Sequence, residues 1–120
     1  EPFLRTVASA ARLDELPAFP FVFRGRVEAL QAHVLAGRCP YGADTEGADP
    51  VRERRASADV TLVGLWSDLP AGELTHHGSR LHVHVLVHDA DGGVEWVGHV
   101  DSVRIPRGAT VQVPQRPLSR

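Results

Sequence analysis

The 120-residue chain contains no lysine, no methionine and a single cysteine, Cys39. One cysteine excludes an internal disulfide framework and a thiolate metal cage. The 13 cationic residues are all arginine, and against 15 carboxylates they leave a net charge of −2. That balance lacks the basic excess of a nucleic-acid binder, so nucleic acid is not expected as a partner. No apolar run approaches the roughly 20 residues of a spanning helix, so no membrane segment is expected either. Without a disulfide or a recognisable signal peptide, the expected location is cytoplasmic. The missing methionine reads as a missing natural start, so a preceding segment would go unseen.

What is present fits one folded unit over residues 1–120. Hydrophobic residues make up 42% of the chain and charged ones 23%, and a core at this length buries about two thirds of the unfolded chain's surface. Phe3, Leu4, Val7, Ala8, Ala11 and Leu16 recur at helical spacing and predict an amphipathic helix within residues 1–18, ended by Pro17. Aromatic residues alternate at Phe19, Phe21 and Phe23, the strand period, and residues 20–35 read as two short strands with a bend at Gly25. Residues 36–49 are a Gly, Pro and Asp loop. Asp49-Pro50 then reads as the cap and first residue of a short helix whose Arg52, Arg54 and Arg55 form a solvated face.

From Val60 onward the composition is that of strands. Thr61 to Trp66 is short and apolar, Ser67 to Ser79 is a polar loop, and Arg80 to His88 alternates without a break. Asp91-Gly92-Gly93 marks a hairpin turn, Val94 to Val103 a return strand, Ala109 to Val113 a last strand, and 114–120 a tail. The expected class is α+β, a mostly antiparallel twisted sheet with one or two short helices.

Histidine carries the functional signal. Apart from His33, every histidine lies from His76 to His99. Alternate strand residues share a face, so Leu81, Val83, Val85 and Val87 point to the core and His82, His84 and His88 point away. If Asp91-Gly92 is a two-residue turn, His84 lies opposite His99, His82 opposite Asp101 and His88 opposite Glu95, all on one face. Opposed Cβ atoms are about 4.5–5.5 Å apart, close enough for three imidazoles to converge on one ion at zinc's roughly 2.0–2.1 Å bond length. His82, His84 and His99 are the candidate ligands for Zn2+ or another divalent transition metal. Three neutral ligands preserve the ion's charge and leave positions open, which suits Lewis-acid catalysis. A solvated sheet face that merely carries histidines is the plainer alternative. His88 reads as an ion-pair partner of Glu95, and His76 and His77 lie in the loop before the strand.

Thr61-Leu62-Val63-Gly64-Leu65-Trp66, then His82-Val83-His84 and Gly98-His99, resemble the C-terminal part of bacterial α-acetolactate decarboxylase. There a GTLVGF strand leads through a loop to Gly-x-His-x-His-Phe, and Gly-Gly-His follows the hairpin. The likeness spans residues 19–113 and is specific over 61–101; Val97 stands where the family has the first glycine of Gly-Gly-His. The PPC (DUF296) domain of the same superfamily is similar around His-x-His and Asp91-Gly92. The resemblance implies that His82, His84 and His99 hold a divalent metal that polarises the substrate carbonyl as CO2 departs. Glu73 and Asp101 read as the carboxylates near that metal, with Asp101 either orienting His82 through its other ring nitrogen or standing as a surface carboxylate at the strand end. The family's active-site arginine falls near His33, with Arg38 or Arg24 as substitutes. The family's further N-terminal half, which contributes a catalytic glutamate, has no counterpart here.

Two functions follow as expectations. One is a metal-dependent, decarboxylase-like lyase acting on a small keto or hydroxy carboxylic acid. The other is a non-catalytic PPC-like module, a dimer or trimer, in which the metal is structural.

Overall fold

A computed structural model describes residue 13 and residues 16–34, 51–68 and 81–114. They form five strands: β1 (Ala18–Val34), β2 (Val51–Ser67), β3 (Leu81–His88), β4 (Val94–Arg104) and β5 (Val111–Gln112). No helix occurs among the described residues, so the α+β expectation gives way to an all-β fold. Nor, among these residues, is any helix long and apolar enough to cross a membrane. The expected N-terminal helix (apart from Leu13 and Leu16), the 36–49 loop, the Asp49-Pro50 cap and most of the 67–79 loop lie outside the described residues. So do most of the 114–120 tail, Arg38, Cys39, Glu73, His76 and His77.

All pairings are antiparallel. β1 pairs β2 along its whole length, β2 pairs β3, β3 pairs β4, and β4 returns to the second half of β1, so the ladder closes on itself. β5 occupies the edge of β1 near Val22 and Phe23.

The first half of the chain departs from its sequence reading in two ways. Residues 18–34 are one strand that runs through Gly25, which pairs with Val60. Residues 51–57, expected as a helix, are the first half of β2, paired with the second half of β1 at every position but Ala56. Helical propensity in a short charged segment is worth tenths of a kcal/mol per residue, less than a continuous ladder supplies.

A parity switch accompanies this hairpin. Phe19, Phe21, Phe23 and Val27 are buried, but so are Leu30 and Ala32, so the inward positions change from odd to even. Between them Ala29 has φ 50°, a left-handed conformation that alanine seldom adopts. This single residue turns His33 to the outer face.

Inside the ladder, Phe23, Val27, Leu30, Ala58, Val60, Leu62, Val85 and Val87 form the main core. A second cluster joins Leu13, Phe19, Phe21 and Trp66, with Phe19 and Trp66 stacked at 5.2 Å. Each fully buried side chain of this size contributes roughly 1.5–3 kcal/mol. Beside the clusters lies an apolar cavity of about 530 Å³, bounded by Phe21, Leu62, Val83, Ile105 and Val111, with no histidine among the described residues of its wall.

Arg55 joins β2 to the start of β4. Its Nη2 donates to Glu95 Oε1 at 2.9 Å, and its Nε donates to Glu53 Oε1 at 3.3 Å. The bond to Glu95 holds the guanidinium pKa above its already high ordinary value, against the opposing effect of burial. Both partners keep solvent contact, so a double-mutant cycle with Arg55→Gln and Glu95→Gln is expected to give a coupling of roughly 0.5–1 kcal/mol that shrinks with added salt. Thermal melts of the four proteins would check it, and a coupling near zero would reduce the pair to a contact without energetic weight.

Candidate metal centre

The histidines sit where β4 changes partners. Its first half pairs β3, with Val87↔Trp96, Leu86↔Val97, Val85↔Gly98 and His84↔His99. Its second half pairs β1, with His33↔His99, Ala32↔Val100 and Gln31↔Ser102. His99 therefore lies opposite His84 on one side and opposite His33 on the other. Further along β1, His33 lies opposite Arg52 of β2. Directly opposed residues project to the same face, so Arg52, His33, His99 and His84 form one row on the outside of the ladder.

Gly98 permits this approach. A Cβ there would lie 2.5 Å from Cη2 of Trp96 and 2.8 Å from the backbone oxygen of His33. Any larger residue would push β1 away from β4 beside the two histidines.

His82 lies two residues before His84 on the same face of β3, and one nitrogen each from His82, His84 and His99 lies within 4.8 Å of the others. Nε2 of His82 and Nε2 of His84 are 3.0 Å apart, one imidazole donating and the other accepting. Ligands around a tetrahedral zinc stand roughly 3.4 Å apart, given its bond length of about 2.0–2.1 Å. The pair is near that spacing, and small side-chain rotations would bring the third nitrogen to it. The donor set fits a borderline divalent transition ion. His84 is exposed and His82 and His99 are half-buried, so a bound ion would face the outside.

The other expected site residues are placed differently. Asp101 does not face His82, because β4 has already left β3 for β1 at that point. Its Oδ1 instead accepts from Nδ1 of His33 at 2.9 Å, and Arg52 Nη1 lies 4.0 Å from its Oδ2. His33 stacks on His99 with centroids 5.3 Å apart and planes 17° apart. His88 pairs with Val94 rather than Glu95, across a register shift at the hairpin end. Its Nε2 lies 2.8 Å from the Thr61 hydroxyl and its Nδ1 3.3 Å from the carbonyl of Gly93, while Glu95 belongs to Arg55. The turn itself is built on Asp89, whose Oδ1 accepts from the backbone N–H groups of Asp91 and Gly93. Arg24 is exposed on the first half of β1, away from His33. Sequence reasoning missed Arg52 beside the site. Its signal was there in the pairing of residues 51–57 with the end of β1, but a helical reading of that segment conceals it.

No family model matches the chain, and no curated protein matches it in sequence. Two solved structures are similar in shape. One, from Ralstonia eutropha JMP134, is 23% identical with a TM-score of 0.46, over 94% of this chain and 72% of that one. The other, from Bacteroides thetaiotaomicron VPI-5482, is 17% identical with a TM-score of 0.47, over 94% of this chain and 70% of that one. Both are named "putative DNA-binding protein", and these names belong to those proteins. Net charge alone does not support the expectation that nucleic acid is excluded as a partner, and that expectation is dropped. That expectation rested on net charge, which sums over the whole chain and is blind to local arrangement; Arg24, Arg26, Arg52 and Arg54 are all exposed along β1 and β2.

Proposed function

We propose that this chain is a divalent-metal-dependent lyase of the decarboxylase type, acting on a small keto or hydroxy carboxylic acid. The observation that carries the reading is the convergence of His82, His84 and His99 on an outward-facing point. Three neutral imidazoles would hold the ion without cancelling its charge, and a face open to the outside leaves room for substrate. A metal held there supplies Lewis-acid polarisation of a carbonyl oxygen. The exposed guanidinium of Arg52 offers a cation to a substrate carboxylate, and Asp101 fixes the Nδ1 proton of His33 next to the site. The resemblance of residues 61–101 to the decarboxylase supports the same chemistry.

A second reading is a PPC-like module whose metal is structural and whose surface binds a partner. It is favoured by the position of the histidines on the outside of the ladder, apart from the apolar cavity.

Metal analysis of the purified protein after incubation with zinc, nickel or manganese tests both readings. The lyase reading expects about one bound equivalent, and metal-dependent release of CO2 from acetolactate or a related keto acid. Metal without turnover on any such acid would favour the second reading. No uptake of any of the three ions would remove both.

A further inference from the structure

His33 and Asp101 stand outside the three-nitrogen group, yet both are tied to one of its members. We infer that they form a clamp that sets the orientation of the His99 ring, so that both are positioning residues of the metal centre. The inference rests on the reading of His82, His84 and His99 as ligands.

The clamp is built from the outside inward. A carboxylate can only accept, so the 2.9 Å contact between Asp101 Oδ1 and His33 Nδ1 requires a proton on that nitrogen. This bond fixes both the rotation of the His33 ring and its tautomer. The fixed ring lies nearly parallel to His99, at 5.3 Å and 17°. From the opposite side His84 meets His99 edge-on, with centroids 4.4 Å apart and planes at 74°. Because β1 and β3 flank β4, His99 is held between His33 and His84, its two directly opposed neighbours.

Asp101 is two residues beyond His99 on the same strand, so the support is local to the strand that carries the ligand. Arg52, 71% exposed and 4.0 Å from the second carboxylate oxygen, adds little to it. A ligand ring already oriented loses less freedom when it coordinates, and removal of such outer supports typically weakens metal binding about 10- to 100-fold.

The test uses His33→Ala, His33→Phe, Asp101→Ala and Asp101→Asn in the whole chain, with two readouts. The first is titration with Co2+, followed by its visible spectrum. The second is the position of the His99 ring-proton resonances in the metal-free protein. His33→Ala is expected to weaken Co2+ binding about tenfold, alter the cobalt spectrum and move the His99 resonances. His33→Phe, which restores a flat ring, recovers most of the affinity. Asp101→Asn, which keeps an acceptor oxygen, stays near the parent, whereas Asp101→Ala follows His33→Ala. Unchanged cobalt affinity and unmoved His99 resonances in folded His33→Ala would overturn the clamp. Should the parent take up no cobalt, the metal reading fails, and the His99 resonances alone still decide whether the clamp exists.

Discussion

A chain carrying both His84→Ala and His99→Ala is expected to bind no stoichiometric divalent metal under conditions in which the parent takes up about one equivalent. Two of the three donors are removed, and the remaining imidazole of His82 cannot enclose an ion. The fold should survive. His84 is exposed and His99 half-buried on the outer face, whereas the core of β3 is Val85 and Val87, so stability should change by no more than about 1 kcal/mol. His88→Ala supplies the control. His88 shares the strand and the face with His82 and His84, but it is bonded to Thr61 and Gly93 at the hairpin end and is not among the three converging residues. That variant should retain the metal. Elemental analysis and circular dichroism of the three proteins suffice. Metal retained by the double variant, or lost with His88→Ala, would place the centre elsewhere.

The part of this site that is legible in sequence is the part whose geometry is local. Residues 81–88 alternate with period two, and a turn rich in Asp and Gly joins them to a return strand. The pairing of His84 with His99 follows from those two facts, and the structure has that pairing. The same reasoning places His88 opposite Glu95, and here it fails. The return strand carries one extra residue, Glu95, between Trp96 and Val94, so that His88 meets Val94, and nothing in Asp91-Gly92-Gly93 announces that bulge.

What is not legible depends on residues far apart in the chain. The placement of His33 beside His99 needs β1 to pair with the other edge of β4, and it needs the parity of β1 to switch at Ala29. An alternating reading of Val27, Ala29 and Gln31 would keep odd positions inward and bury His33. The segment 51–57 is charged and lacks an apolar stripe of either period, so its own residues cannot choose strand over helix; the partner strand chooses. Reading it as a helix hides both Arg52 beside Asp101 and Arg55 on Glu95. Asp101 is recognisable as a carboxylate near the three histidines, but its partner is His33 and not His82, because the partner is decided by where β4 changes neighbours.

Gly64→Ala is expected to be destabilising out of proportion to the single methyl it adds to the strand that carries the decarboxylase-like sequence. Gly64 lies directly opposite Phe21, whose ring covers the glycine. A Cβ at Gly64 would penetrate that ring, coming within 2.6 Å of Cε1 and closer still to Cζ. Phe21 cannot easily move aside. It is 5% exposed and packed in one cluster with Leu13, Phe19 and Trp66. Overpacking of this kind costs roughly 1–3 kcal/mol, which lowers the melting temperature by about 4–12 °C in a domain of this length. Phe21→Leu should be destabilising by itself, since it removes buried aromatic surface. In combination with Gly64→Ala it should cost less than the sum of the two, because the smaller side chain relieves the clash. Thermal melts of the parent, both single variants and the double variant measure that difference. Strict additivity would mean that the alanine is accommodated by the backbone of β2, and that Phe21 is not what holds position 64 to glycine. The metal centre offers an independent check on the same four proteins. His84 pairs with Val63, the neighbour of Gly64 in β2, so a backbone that yields at position 64 would also displace His84 and weaken metal uptake. A ring that yields instead would leave uptake unchanged.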